Sequence, residues 1–227
     1  MLSLIVAAAV AAAPAACPDV VTPEALVCRA LDAQKRGNNE SSAQSFEEAA
    51  KASPADQPAT ARMWAAAGNM WIAAGQPGKA ALALDRALTG TGLQAEQRGE
   101  ALLDRARVAE SQGDLKTARA KLNEAASTIS ADPYYWYFSA ALAIREGDKS
   151  VAQSAINKAL SLAPTDPVVL FEAGHVADFM GNEDQARSYW MRAAGNDPTG
   201  PIGKAAAKAV EMLGVTPTVK SEPQAPK

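Results

Sequence analysis

The sequence predicts an all-α fold, an α-solenoid of five helix–turn–helix units ended by a single capping helix. Three observations carry that prediction. A pattern of glycine, alanine and proline recurs every 34 to 38 residues between positions 23 and 200. Fifty-three of the 227 residues are alanine and only 12 are aromatic, a composition suited to closely approaching helices. Each copy places a glycine near its middle, with helix-forming stretches on both sides. One helix pair cannot bury both of its faces, so a period of this length implies stacked units that share a continuous core.

Composition narrows the function classes. Apolar residues at 48% and charged residues at 21% suit an ordered soluble chain. A net charge of −3 offers no basic footprint for nucleic acid. One histidine and two cysteines cannot close a four-ligand zinc site without carboxylates. His175 makes no zinc-protease pair with Asp178, and the chain holds neither a phosphate-cradling glycine loop nor a G-x-S-x-G elbow. A non-enzymatic protein with no cofactor and no small-molecule substrate is expected.

Residues 1–16 (MLSLIVAAAVAAAPAA) form an apolar run that is shorter than the roughly 20 residues a spanning helix needs. The run reads as an export signal, with Ala13-Pro14-Ala15 as an A-x-A cleavage site, although no Lys or Arg precedes it. Cys17 and Cys28, eleven positions apart, leave three readings open: a disulfide in an oxidising compartment, a lipid anchor on Cys17, or two unpaired thiols. The expected location is accordingly periplasmic or otherwise exported. An outer-membrane lipoprotein follows if Cys17 is lipidated, and a cytoplasmic protein if the signal does not function. Residues 17–22 lead into the repeats.

The units are read as 23–56, 61–94, 99–132, 133–166 and 167–200. Aligned at 34 residues, Gly147 meets Gly181, Ala152 meets Ala186, Ile156 meets Trp190 and Pro164 meets Pro198. The unit from Ala61 carries Trp64, Ala67, Gly68, Trp71, Gly75, Ala80, Leu84 and Ala87. These residues resemble the tetratricopeptide repeat (TPR) family, whose unit has the pattern W-x2-L-G-x2-Y…A-x3-F…P. The resemblance implies a right-handed solenoid and a protein that binds another protein or a peptide. The first unit departs from the pattern with Ser42 at an alanine position, and the third with Arg105 and Ala106 at the Leu-Gly positions.

Local chemistry agrees with this reading. Gly37, Gly75, Gly113, Gly147 and Gly181 suit the left-handed end of a first helix, and Asn38, Asp114, Asp148 and Asn182 suit the N-cap of the second. Asp132-Pro133 and Asp166-Pro167 place a cap before a proline at the first helical position. Residues 201–214 read as the capping helix, and proline-rich 215–227 as a disordered tail.

At 100° per residue, unit positions 2, 5, 9, 12 and 13 of each first helix point away from the core, along the concave side. Nine of the 12 aromatics lie between Tyr134 and Trp190. Trp136 and Trp190 fall on core positions, whereas Tyr134, Tyr137, Phe171 and Phe179 fall on the concave row with His175. Arg107 and Arg145 flank this stretch, and Asn69 shares the row. Tyrosine and arginine are enriched at binding hot spots, so these eight residues are the expected partner-binding set. The competing reading makes the aromatics core, packed between neighbouring first helices. Two further functions stay open: a self-associating structural protein, and an accessory or specificity domain for an envelope enzyme.

Overall fold

The computed structural model describes residues 16–213. All but the last residue of the expected export signal, and the expected tail, lie outside the described residues. Among the described residues the order is α1 (Pro23–Lys35), α2 (Asn39–Ala52), α3 (Pro58–Ala73), α4 (Pro77–Thr89), α5 (Ala95–Ser111), α6 (Leu115–Ile129), α7 (Pro133–Glu146), α8 (Lys149–Leu162), α9 (Pro167–Phe179), α10 (Glu183–Asn196) and α11 (Pro201–Met212). Odd-numbered helices pair with the even-numbered ones that follow, and α11 covers α10 and touches α9.

The helices end where local chemistry ends them. Gly37, Gly75, Gly113, Gly147 and Gly181 all have φ between 68° and 83°, the left-handed conformation that glycine reaches without a Cβ clash. In each turn the following N–H reaches back to a carbonyl five residues earlier, as Asn38 does to Ala33 at 2.9 Å and Asp148 to Ala143 at 2.9 Å. Asn38, Asp114, Asp148 and Asn182 then cap the second helices through their side chains; Gln76 does not, and α4 starts on Pro77 instead. Asp132 accepts from the Tyr134 N–H at 2.8 Å, and Asp166 from the N–H groups of Val168 and Val169. The two longer sequence steps are taken up before α3 and α5, which run 16 and 17 residues.

Small side chains set the spacing within each pair. Ser42, Ala80, Ala118, Ala152 and Ala186 occupy one register position and all are 0% exposed. The hydroxyl of Ser42 finds no hydrogen-bond partner there. Glycine permits a closer approach still: a Cβ at Gly174 would stand 2.2 Å from the Trp190 indole nitrogen, and one at Gly68 would stand 2.6 Å from Leu84. The core runs as linked clusters along the array rather than as one globule.

Two positions differ from the sequence expectation. Trp136 is half-buried rather than core; its indole nitrogen donates to the Ser130 carbonyl at 2.7 Å across the preceding turn, which holds the ring at the edge of the core. Leu103, placed on the concave row by its register, is buried among Tyr135, Phe138 and Leu142 of α7. A first helix that packs on the next one covers part of its own concave face, and the helical wheel of a single element omits that contact.

Candidate functional site

The first helices α1, α3, α5, α7 and α9 bring the concave row together, and the row divides into two halves. In the N-terminal half it is open. A cavity of about 600 Å³ is lined by Cys17, Glu24, Val27, Cys28, Leu31 and Lys35. A neighbouring one of about 460 Å³ shares Glu24 and Val27 and adds Pro54, Gln57 and Met63. Farther along, Arg62, Ala65 and Asn69 of α3 face Glu100, Ala101 and Asp104 of α5 across an opening of about 120 Å³. Asn69 is therefore an open groove residue. The disulfide between Cys17 and Cys28, with a Cα–Cα distance of 5.7 Å, ties the lead-in segment to α1 beside the opening of about 600 Å³. A sulfur held in that bond is not free for a lipid thioether.

The C-terminal half is lined by aromatic rings that touch one another. Tyr134 is 38% exposed and meets Tyr137 edge to face at 5.8 Å; its hydroxyl donates to the Asp166 carboxylate at 3.0 Å. That bond to a carboxylate holds the Tyr134 phenol above its ordinary pKa. Tyr137 is half-buried against the clusters on both sides of it. Phe171 meets His175 edge to face at 4.5 Å, and His175 meets Trp190 at 5.3 Å. Burial pushes the His175 imidazole below its ordinary pKa, with Asp178 opposing, so the ring is neutral at pH 7. Phe179 is half-buried, with the Lys149 ammonium 5.4 Å from its ring.

Neither groove arginine is held in reserve. Arg107 pairs with Asp104 at 3.4 Å, one turn back on α5, and its guanidinium lies 5.6 Å from the Phe138 ring of α7. Arg145 pairs with the Glu110 carboxylate and also donates to the Glu110 carbonyl at 3.2 Å, which links α7 to α5. Of the eight expected residues Asn69, Tyr134 and Arg145 are exposed, and all but Asn69 are engaged with neighbours.

The sequence reading missed two residues. Asp104, Phe138 and Glu172 occupy one register position in successive units, 34 residues apart. Phe138 is buried there. Burial raises the pKa of Asp104, with Arg107 opposing, and raises that of Glu172 to about 7. The signal was present in the alignment: acidic residues stand in a column between apolar ones, with Ala101, Tyr135 and Val169 three positions before and Val108, Leu142 and Val176 four after.

Residues 133–166 match the family model of the tetratricopeptide repeat. The whole array has the TPR solenoid fold. It is similar to the solved structure of MamA, at 16% identity and a TM-score of 0.63 over 78% of this chain and 92% of that one. It is also similar to YrrB, described as a TPR protein with an unusual peptide-binding site, at 17% identity and a TM-score of 0.59 over 81% and 91% of the two chains. PilW, a type IV pilus biogenesis factor, is similar at 20% identity and a TM-score of 0.67 over 82% of each chain. No curated protein sequence matches the chain. Among the described residues no helix is long and apolar enough to cross a membrane, and no group of three or more His, Cys, Asp or Glu could hold a metal ion.

Proposed function

We propose that this chain is a non-enzymatic scaffold that holds an extended segment of another protein along its concave face, in the envelope of a bacterial cell. The observation that carries the reading is the row of first-helix side chains. It presents openings of about 600, 460 and 120 Å³ toward its N-terminal end and rings at Tyr134, Tyr137 and Phe171 toward its C-terminal end. An extended peptide gains from such a surface because pockets and aromatic edges grip alternate side chains along its length. The peptide-binding site in the description of YrrB supports the class of ligand. The Cys17–Cys28 bond supports an oxidising compartment, where disulfides persist.

A photo-crosslinking residue placed at Asn69 or Tyr134 should trap a partner in cells, whereas one at Leu82, exposed on the second helix α4, should not. Trapping at Leu82 alone would move the binding surface off the concave face. Intact mass of the mature protein, before and after reduction, should show an oxidised cysteine pair; two free thiols would remove the support for export.

A further inference from the structure

Glu172 is a carboxylate whose counter-charge is missing. The guanidinium of Arg107 over Phe138 shows that this register position of a first helix faces the first helix before it. Glu172 therefore faces α7, flanked on its own helix by Val169 and Val176, which pack with Ala140 and Ala143. The position opposite it, one unit on from Arg107, holds Ala141. At 100° per residue Glu172 lies about 70° from the centre of the concave face, on the flank of the groove.

The third unit shows what the fifth lacks. Asp104 is half-buried at the same register position and has Arg107 three residues later to neutralise it, at 3.4 Å. In α9 that later position is His175, which is neutral and turned onto Phe171 and Trp190. The elements packed on α9 carry further charged or titratable groups: Tyr134, Tyr135, Tyr137, Arg145 and Glu146 on α7, Lys149 and Lys158 on α8, Glu183, Asp184, Arg187, Tyr189 and Arg192 on α10, and Lys204, Lys208 and Glu211 on α11. Arg145 is held by Glu110, and Lys149 lies over Phe179. Among the described residues no Lys, Arg or His nitrogen comes within 4.0 Å of the Glu172 carboxylate, and no donor hydrogen-bonds to it.

We propose that the α7–α9 part of the groove takes a basic side chain, a lysine or arginine of the bound segment. Its cation sits against the Glu172 carboxylate and its methylene stem lies along Tyr137 and Phe171. The inference rests on the groove reading above and names the ligand chemistry within it. Charge complementarity is the argument. A half-buried carboxylate is costly to ionise without a partner, no side chain of the described fold supplies one, and the half-buried rings of Tyr137 and Phe171 on the same groove favour a cation. Glu172, raised to about 7 by burial alone, gives up its proton as the cation arrives. Binding therefore tightens as pH rises through neutrality. With only the ionised form competent, affinity rises about tenfold between pH 6 and pH 8. Burial favours the neutral form of His175, and the Glu172→Gln control carries whatever slope that ring contributes.

The test is selection of a random dodecapeptide phage library on the wild-type protein, followed by fluorescence anisotropy with the selected peptides. The expected result is a Lys or Arg shared at one position. Replacing it with norleucine should weaken binding to wild type at least tenfold, yet change binding to Glu172→Gln less than threefold. Wild-type affinity should rise from pH 6 to pH 8, while that of Glu172→Gln stays flat. A norleucine penalty equal in both proteins overturns the proposal. So does selection of peptides with no basic residue; if these are lost on Tyr134→Ala, the groove reading survives without the cation. Peptides insensitive to every concave substitution, or none selected, would overturn both.

Discussion

The third and fifth units each carry a half-buried carboxylate at the same register position, and only the third answers it. Asp104 has Arg107 one turn away on α5. Glu172 has His175 at the matching position of α9, and that ring is packed against Phe171 and Trp190. The register is the same, and the difference that matters for the charge is the residue three positions later, Arg107 in one unit and His175 in the other. A repeat fold can thus keep its architecture while changing, unit by unit, whether a buried charge is satisfied from within or left for a ligand.

The largest effect should come from disturbing the frame that buries Glu172. Gly174→Ala drives a Cβ into the rigid Trp190 indole and should cost about 3 kcal/mol, read as a lower denaturation midpoint. Gly68→Ala, the same position in the second unit, meets a Leu84 side chain that can shift, and should cost about half as much. Equal costs would mean that the α9–α10 pair repacks as easily as α3–α4.

Next in size is the uncompensated charge itself. Because the folded state raises Glu172 from 4.5 to about 7, it holds that proton to higher pH than the unfolded chain does. Its contribution is harmless below the ordinary value, grows unfavourable as pH climbs toward 7, and levels off above it. Glu172→Gln should match wild type near pH 4 and exceed it by on the order of 2 kcal/mol at pH 8. Parallel stability curves across that range would show that the carboxylate is solvated in the free protein.

Arg107→Ala should turn the third unit toward the state of the fifth. The pair is only partly buried, so the loss should be about 1 kcal/mol, and the Asp104 carboxyl should titrate still higher by NMR. An unmoved Asp104 would mean that Arg107 serves Phe138 alone. The smallest change in stability is expected from the converse, His175→Arg. An internal cation there should bring the Glu172 carboxyl down from about 7 and weaken the selected basic peptides. Unchanged titration would place the new guanidinium in solvent.

Much of this was legible along the chain. The spacing of Gly147 and Gly181, and the caps at Asp148 and Asn182, depend on residues within one turn of each other, and local rules reach that far. The concave row was legible only in part. Asn69 and Tyr134 face outward as the wheel requires, while Leu103 is buried by α7 and Arg145 is drawn to Glu110 of α5. A wheel describes one helix, and these outcomes depend on how far each unit is rotated on the last.

Periodicity and capping are short-range properties, and they were enough to specify the all-α repeat and its turns. Only the tertiary structure joined Arg145 of α7 to Glu110 of α5, brought Cys17 beside Cys28, and left Glu172 with no cation in reach. Those facts depend on contacts between elements. There the free energy of a charge is set by what packing removes from water and what it leaves within reach.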